Sequence, residues 1–369
     1  MPAGVVNFGR MRYGTFSTNP ARVPGAVLLA VLAAGCVATT PSTPLSEENL
    51  VVLNAGDATL YLYARAEPDA PRVIPLGPIG GTPTALATRS ARGLVTSGAG
   101  STVAVVDLSA AGSVLVYQLP AGAGAGGAAF VNDTLAYITN PFNDRATRLN
   151  LSTGDTVSVA VGRSPTAVAV TRGRVYVANA NLEPACAGPL PCVRGPSWLT
   201  VLDPERNVTL DSIPLPGPGN ASAILVGPDG LIYVMNAGPG GAEPGRLSIV
   251  DPVLRQEVGS FAGFGSLPGP MASDGRERLF IISATQGLME FNTRTRRVVR
   301  GAGAGIPLLN GVAAAVDANG LVYAVESGAC VPGSPGRVRV FRPDLTEARV
   351  MTAGVCPADA AVVNLPPPP

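Results

Sequence analysis

Seven times along the chain a short apolar strand closes on a small or polar residue, and this recurrence limits the fold more than any other feature. The clearest copies are Val175-Tyr176-Val177-Ala178-Asn179, Ile232-Tyr233-Val234-Met235-Asn236, Ala136-Tyr137-Ile138-Thr139-Asn140 and Leu321-Val322-Tyr323-Ala324-Val325-Glu326. Weaker copies run through Leu50 to Asn54, Leu94 to Gly98 and Leu279 to Ser283. Taking 51, 95, 137, 176, 233, 280 and 323 as the tyrosine-equivalent positions, the steps are 44, 42, 39, 57, 47 and 43 residues. That is the period of a four-stranded propeller blade, a unit too small to bury its own faces and therefore obliged to stack.

The fourth unit predicts four strands bounded by turn formers: A over Pro165 to Val170, B over Arg174 to Asn179, C over Trp198 to Leu202 and D over Val208 to Leu215. The A strands are rich in alanine, as in Ala167-Val168-Ala169 and Ala313-Ala314-Ala315, which suits an innermost position where blades crowd an axis. No A strand precedes Leu50, because Thr39 to Glu48 is polar and contains proline. After the seventh unit, however, comes Pro357-Ala358-Asp359-Ala360-Ala361-Val362-Val363, which reads like Pro165 to Val170. Residues 357 to 363 are therefore expected to supply the inner strand missing from the first blade, closing an all-β, seven-bladed propeller and removing its free edges.

The stretches Val175 to Asn179, Leu199-Thr200-Val201-Leu202-Asp203 and Asn207 to Leu215 resemble the YVTN-type β-propeller repeat. The match is good in units four, five and seven, recognisable in two and three, and poor in one and six. The resemblance implies the fold and a bacterial or archaeal surface or secreted setting. It implies no particular function, because related propellers include both binding modules and enzymes.

Composition narrows the chemistry. With 45 Gly and 36 Pro but a mean hydropathy of +0.30, the chain is too apolar for disorder and too punctuated for long helices. The formal net charge of +1 gives no global electrostatic argument for nucleic acid. All 26 basic residues are arginine, and His is absent as well as Lys. This excludes Ser-His and Cys-His nucleophile activation, imidazole metal ligation and Schiff-base chemistry. Carboxylate, tyrosine, arginine and cysteine chemistry remains, and no cofactor is expected.

At the N-terminus, Arg10, Arg12 and Arg22 precede the apolar run Ala26 to Ala34, which ends at Gly35-Cys36. This is the order of a secretory signal, and the run is too short to span a bilayer comfortably. Ala33-Ala34-Gly35-Cys36 resembles a bacterial lipobox with Cys36 as the lipidated residue, although Leu32 lies one place early, and Met11 as the start leaves a more ordinary signal length. The expected organisation is a signal over 1–35, a lipid-anchored tether over 36–48, the propeller over 49–364 and a proline-rich tail over 365–369. Val37 gives no sign of inner-membrane retention, so a two-membrane cell would carry the protein on its outer membrane.

Export permits disulfides. Cys186 and Cys192 lie in the insertion Leu182 to Ser197 that produces the 57-residue step, and a local bridge there pins the loop. Cys330 falls in the B-C loop of the seventh unit and Cys356 just before the closing strand. B-C and D-A loops share a face of a propeller, so this second pair is placed to staple the ring, stabilising it by about 4 kcal/mol. A metal site is the weaker alternative, since the thiols lack histidine and CxxC spacing.

Several motifs read as structure. Gly122 to Gly127 satisfies GxGxxG, but a predicted strand over Ala128 to Val131 follows where a nucleotide site needs a helix. Asp107, Asp203 and Asp251 end C strands and fit turn capping. Arg294, Arg296, Arg297 and Arg300 fit a solvated outer edge, and Trp198 fits packing beneath the cysteine insertion. Function is expected on the B-C face, where insertions collect. Candidate ligand-binding residues are Asn140, Asp144, Arg145, Asn179, Asn181, Glu183, Arg194, Asn236, Glu243 and Glu326. The expected role is a scaffold binding protein or glycan. The alternative is a lactonase, lyase or glycan hydrolase using carboxylates such as Glu183, Glu243 and Glu326 at the channel mouth.

Overall fold

Strand formation and closure follow from where the apolar alternation can be buried. In the computed structural model, which describes residues 47–366 apart from 66, 110, 184–191 and 242, every strand belongs to one of seven four-stranded antiparallel sheets. Numbering blades in chain order, the inner A strands are Pro357–Leu365, Ala85–Arg89, Ala128–Phe130, Pro165–Thr171, Ala221–Val226, Met271–Ser273 and Gly311–Val316. Blade 4 continues with Arg174–Asn179, Ser197–Asp203 and Val208–Leu215, within one residue of each strand end expected for B, C and D. The signal segment, Cys36, nearly all of the tether, Cys186 and the last three prolines lie outside the described residues.

Ring closure occurs between the two ends of the described chain. Pro357–Leu365 pairs antiparallel with Glu47–Asn54, setting Leu50 opposite Val362, Val51 opposite Ala361 and Glu47 opposite Leu365. Both strands outrun their expected limits, the first by starting two residues inside the segment assigned to the tether. The buried apolar residues form seven clusters, one in each seam between successive blades. The last seam joins blade 7 to blade 1 through Leu50, Val52, Ala313, Tyr323 and Ala360. Each tyrosine-equivalent side chain is buried in such a seam. The Tyr137 hydroxyl donates to Asn207 Oδ1 at 2.7 Å in the next blade, and burying a ring of this size contributes about 4 kcal/mol gross.

The turns obey local chemistry. Asp203 Oδ1 accepts from the amides of Glu205 and Arg206, and Asp251 Oδ1 from those of Val253 and Leu254. Four residues on, Asn207 (φ 55°) and Arg255 (φ 54°) return their N–H to the aspartate carbonyl. Asp107 likewise accepts from Ser109 N. A strand, now Ala128–Phe130, does follow the glycine run. Arg294 pairs with Glu277, and Arg296 and Arg297 are exposed, as a solvated edge requires, whereas Arg300 is half-buried and donates to Ala304 O. Trp198 packs against Gly162, whose added Cβ would overlap the indole, so its contact is with the preceding blade's exit loop.

Candidate functional site: the insertion-bearing loop face

The four long B-C connections join strands ending at Asn140, Asn179, Asn236 and Glu326 to strands beginning at Arg145, Ser197, Arg246 and Pro335. They share a face with the D-A connections that deliver each chain crossing to the next blade.

Cysteine chemistry reinforces this face. Cys330 and Cys356 form a disulfide, with Cys356 (φ 51°) immediately before the closing strand. The bond lies within blade 7 and fixes the point from which the chain leaves to complete blade 1. Cys192 is also disulfide-bonded. The base of its insertion is a small antiparallel clasp, in which Glu183 N donates to Cys192 O and Arg194 N to Asn181 O, both at 2.9 Å. The Glu183 carboxylate closes it on Arg194 Nε at 2.7 Å, and Asn181 Nδ2 donates to Pro196 O.

The sequence-selected residues divide into three groups. Asn140, Asn179, Asn236 and Glu326 are buried. Asn179 Oδ1 accepts from Gly162 N at 2.8 Å, and its amide donates to Trp198 O and Thr200 Oγ1. Asn140 donates to Gly124 O and accepts from Thr147. Glu326 accepts from Leu309 N at 2.8 Å and pairs with Arg337 and Arg339. Each of these three ties the exit loop of the preceding blade to its own B strand. Asn54 makes a similar tie to the end of blade 7's outer strand, Glu347–Val355, accepting from Gly354 N.

Asp144, Asn181, Glu183 and Arg194 are less buried but also engaged, Asp144 Oδ1 accepting from Ser164 N at 2.9 Å. Arg145 and Glu243 are exposed, and their side chains make no hydrogen bond or ion pair among the described residues. Of the carboxylates considered for catalysis, Glu326 is neutralised by two guanidinium groups and Glu183 by one. Among the described residues no three Cys, Asp or Glu side chains gather as a metal site requires.

One carboxylate carries a signal that the sequence reading left without a role. Asp359 is the sole acidic residue in the seven inner strands. Its Oδ2 accepts from Leu86 N of blade 2, and its Oδ1 from Ala360 N, each at 2.8 Å. Burial pushes its carboxyl from 3.8 up to about 6, against those two bonds. The register supplies the missed clue, because Asp359 occupies the place of Ala167, Ala223 and Ala313 in blades 4, 5 and 7.

Clefts also open on the opposite face. One of about 410 Å³ between blades 6 and 7 is lined by Asp274, Arg276, Glu277, Arg278, Arg294 and Asn319. Others of about 350 and 360 Å³ lie between blades 3 and 4 and between blades 2 and 3.

No family model matches the chain, and no curated protein matches it in sequence. Solved structures do match in fold. A functionally unknown protein from Desulfotomaculum acetoxidans superposes with a TM-score of 0.64 at 12% identity, covering 86% of this chain and 99% of that one. AztD from Citrobacter koseri gives 0.56 at 12%, covering 86% and 98%. Virginiamycin B lyase from Staphylococcus aureus gives 0.56 at 12%, covering 73% and 84%. At such identities the likeness is one of fold: this chain is an all-β, seven-bladed propeller.

Proposed function

We propose that the chain is an extracytoplasmic binding scaffold, lipid-anchored through Cys36, that holds a protein or glycan on its B-C face. The observation carrying this reading is the rigidity built into that face. Two disulfide-bonded loops, the Glu183–Arg194 clasp and buried asparagines fix its shape, while the carboxylates of Asp144, Glu183 and Glu326 are spent on structural partners. A preorganised surface with few free charges suits binding, since little ordering cost remains at association. Arg145 and Glu243 are exposed charged groups there whose side chains have no partner among the described residues and are available to a ligand.

The test is retention of extracted cell-envelope proteins and glycans on immobilised protein. Arg145→Ala with Glu243→Ala should lower retention at least fivefold, and Arg276→Ala on the opposite face should leave it unchanged. The reverse pattern would overturn the assignment of the face. Fatty-acid labelling of the expressed full chain, lost on Cys36→Ser, checks the anchor independently.

A second reading, a propeller lactonase, lyase or glycan hydrolase, draws support from Asp359, whose carboxyl titrates near 6 in the inner ring. Turnover of a lactone or glycan that Asp359→Asn abolishes would favour it, and binding without turnover would favour the scaffold.

A further inference from the structure

Blade 5 lacks a hydrogen bond that blades 4 and 1 share. In blades 4 and 1, the third residue before the inner strand, Gly162 or Gly354, donates its N–H to the asparagine ending strand B. Ala221 opposes Asn236 as Pro165 opposes Asn179, so the matching residue in blade 5 is Pro218. Proline has no N–H. Asn236, 1% exposed, still donates to Ser248 Oγ at 2.9 Å, but its Oδ1 is left with no partner.

The same face of the same blade holds more unmet groups. Arg246 lies opposite Asn236, Ser260 opposite Ser248, and Glu257 opposite Val250. Arg246 Nε, Glu257 Oε1 and Ser260 Oγ are all buried without a hydrogen-bond partner in the protein. The Glu257 carboxyl is raised by burial, opposed by the Ser248 hydroxyl and then by the Arg246 charge. Yet Arg246 and Glu257 do not form an ion pair. Across the seam, blade 4 contributes the apolar side chains Ile213 and Leu215. The two side chains are half-buried, but the individual nitrogen and oxygen atoms are cut off from bulk solvent, and a buried polar atom without a partner is unfavourable.

We infer that the seam between blades 4 and 5 is an internal hydration site, in which ordered water bridges Arg246 Nε to Glu257 Oε1 and Asn236 Oδ1, with Ser260 completing the shell. The polarity fits: a water accepts from the guanidinium and donates to the two acceptors, and three partners is the usual number for buried water. The site lies beneath the exit loop Pro216 to Asn220. Gly219 of that loop abuts Val193 and Gly195 of the cysteine insertion, and Gly238 of the next B-C loop abuts Pro218. The hydrated pocket thus supports the two longest insertions of the loop face.

A crystal structure of the full chain at better than 1.6 Å tests this. Water density within 3.2 Å of both Arg246 Nε and Glu257 Oε1 is expected. A direct Arg246–Glu257 contact under 4 Å with no water between them would overturn the inference. In the Pro218→Gly variant, a restored N–H should bond Asn236 Oδ1, as Gly162 does for Asn179, and the water should lose that contact. Unchanged Asn236 contacts in that variant would refute the role given to Pro218. Glu257→Met removes a ligand and should empty or shift the site, whereas water retained unmoved there would also count against it.

Discussion

Replacing Asp359 with asparagine isolates the energetic cost of the one carboxylate in the inner ring. Its carboxyl lies at about 6 against an ordinary 3.8, a difference of just over two pH units, which at 1.36 kcal/mol each is about 3 kcal/mol. The folded state therefore binds the proton more tightly than the unfolded chain. The proton-linked stability is fully present below pH 3.8 and is lost as pH rises through about 6. Asp359→Asn does not titrate, so it avoids the buried charge at neutral pH. It also gives up one of two accepted amide bonds, worth about 1 kcal/mol. The variant should consequently be more stable than the parent by about 2 kcal/mol at pH 7.5 and nearly equal to it at pH 4. Urea unfolding of both proteins at pH 4, 5, 6 and 7.5 measures this difference. Asp107, Asp203 and Asp344, whose carboxyls are held low by hydrogen bonds from their own turns, lose stability in acid equally in both proteins and cancel. Parallel stability profiles from pH 4 to 7.5 would refute the reasoning.

Other consequences are as direct. Cys330→Ala with Cys356→Ala should cost about 4 kcal/mol in denaturant unfolding and raise amide exchange first in Pro357–Leu365, while exchange confined to blade 7 would contradict the latch. Gly162→Ala forces a Cβ into Trp198 and Asn179, so it should destabilise by about 2 kcal/mol and change the single tryptophan's emission, whereas Gly269→Ala, whose Cβ meets only Ile282 O at 3.4 Å, should leave that emission unchanged. Asn179→Ala leaves Gly162 N without its acceptor in a buried seam and should cost about 1 to 3 kcal/mol, against a few tenths for Asn132→Ala on the exposed opposite face.

Much of the fold was legible because its determinants are local and repeated. Strand alternation, Asx turns at Asp203 and Asp251, and the similarity of residues 357–363 to Pro165–Val170 each report on a few neighbouring residues. The short inner strands Ala128–Phe130 and Met271–Ser273 were less legible, since the Gly- and Pro-rich runs before them leave few residues able to pair. The site was harder to read because its state depends on another blade. Asn140, Asn179, Asn236 and Glu326 end strands beside long loops, where sequence alone suggests display. Asn140, Asn179 and Glu326 are tied to an exit loop from the blade before, more than ten residues away, and Asn236 is buried as well, though there a single proline removes the N–H donor that Asn179 uses. Asp359 sits in a segment chosen for its likeness to the other inner strands, and only the register shows that it stands where they carry alanine.

Closure of the ring by the last strand underlies the rigidity of the loop face and every role assigned to it. Native-state amide hydrogen exchange on the intact protein tests it most directly. The account predicts that those amides within Ala360 to Val363 that bond the strand Glu47–Asn54 are protected like the amides of Val175 to Ala178 in blade 4. Exchange of those amides within seconds, with blade 4 still protected, would mean that the closing strand is not part of the folded ring and would contradict the account.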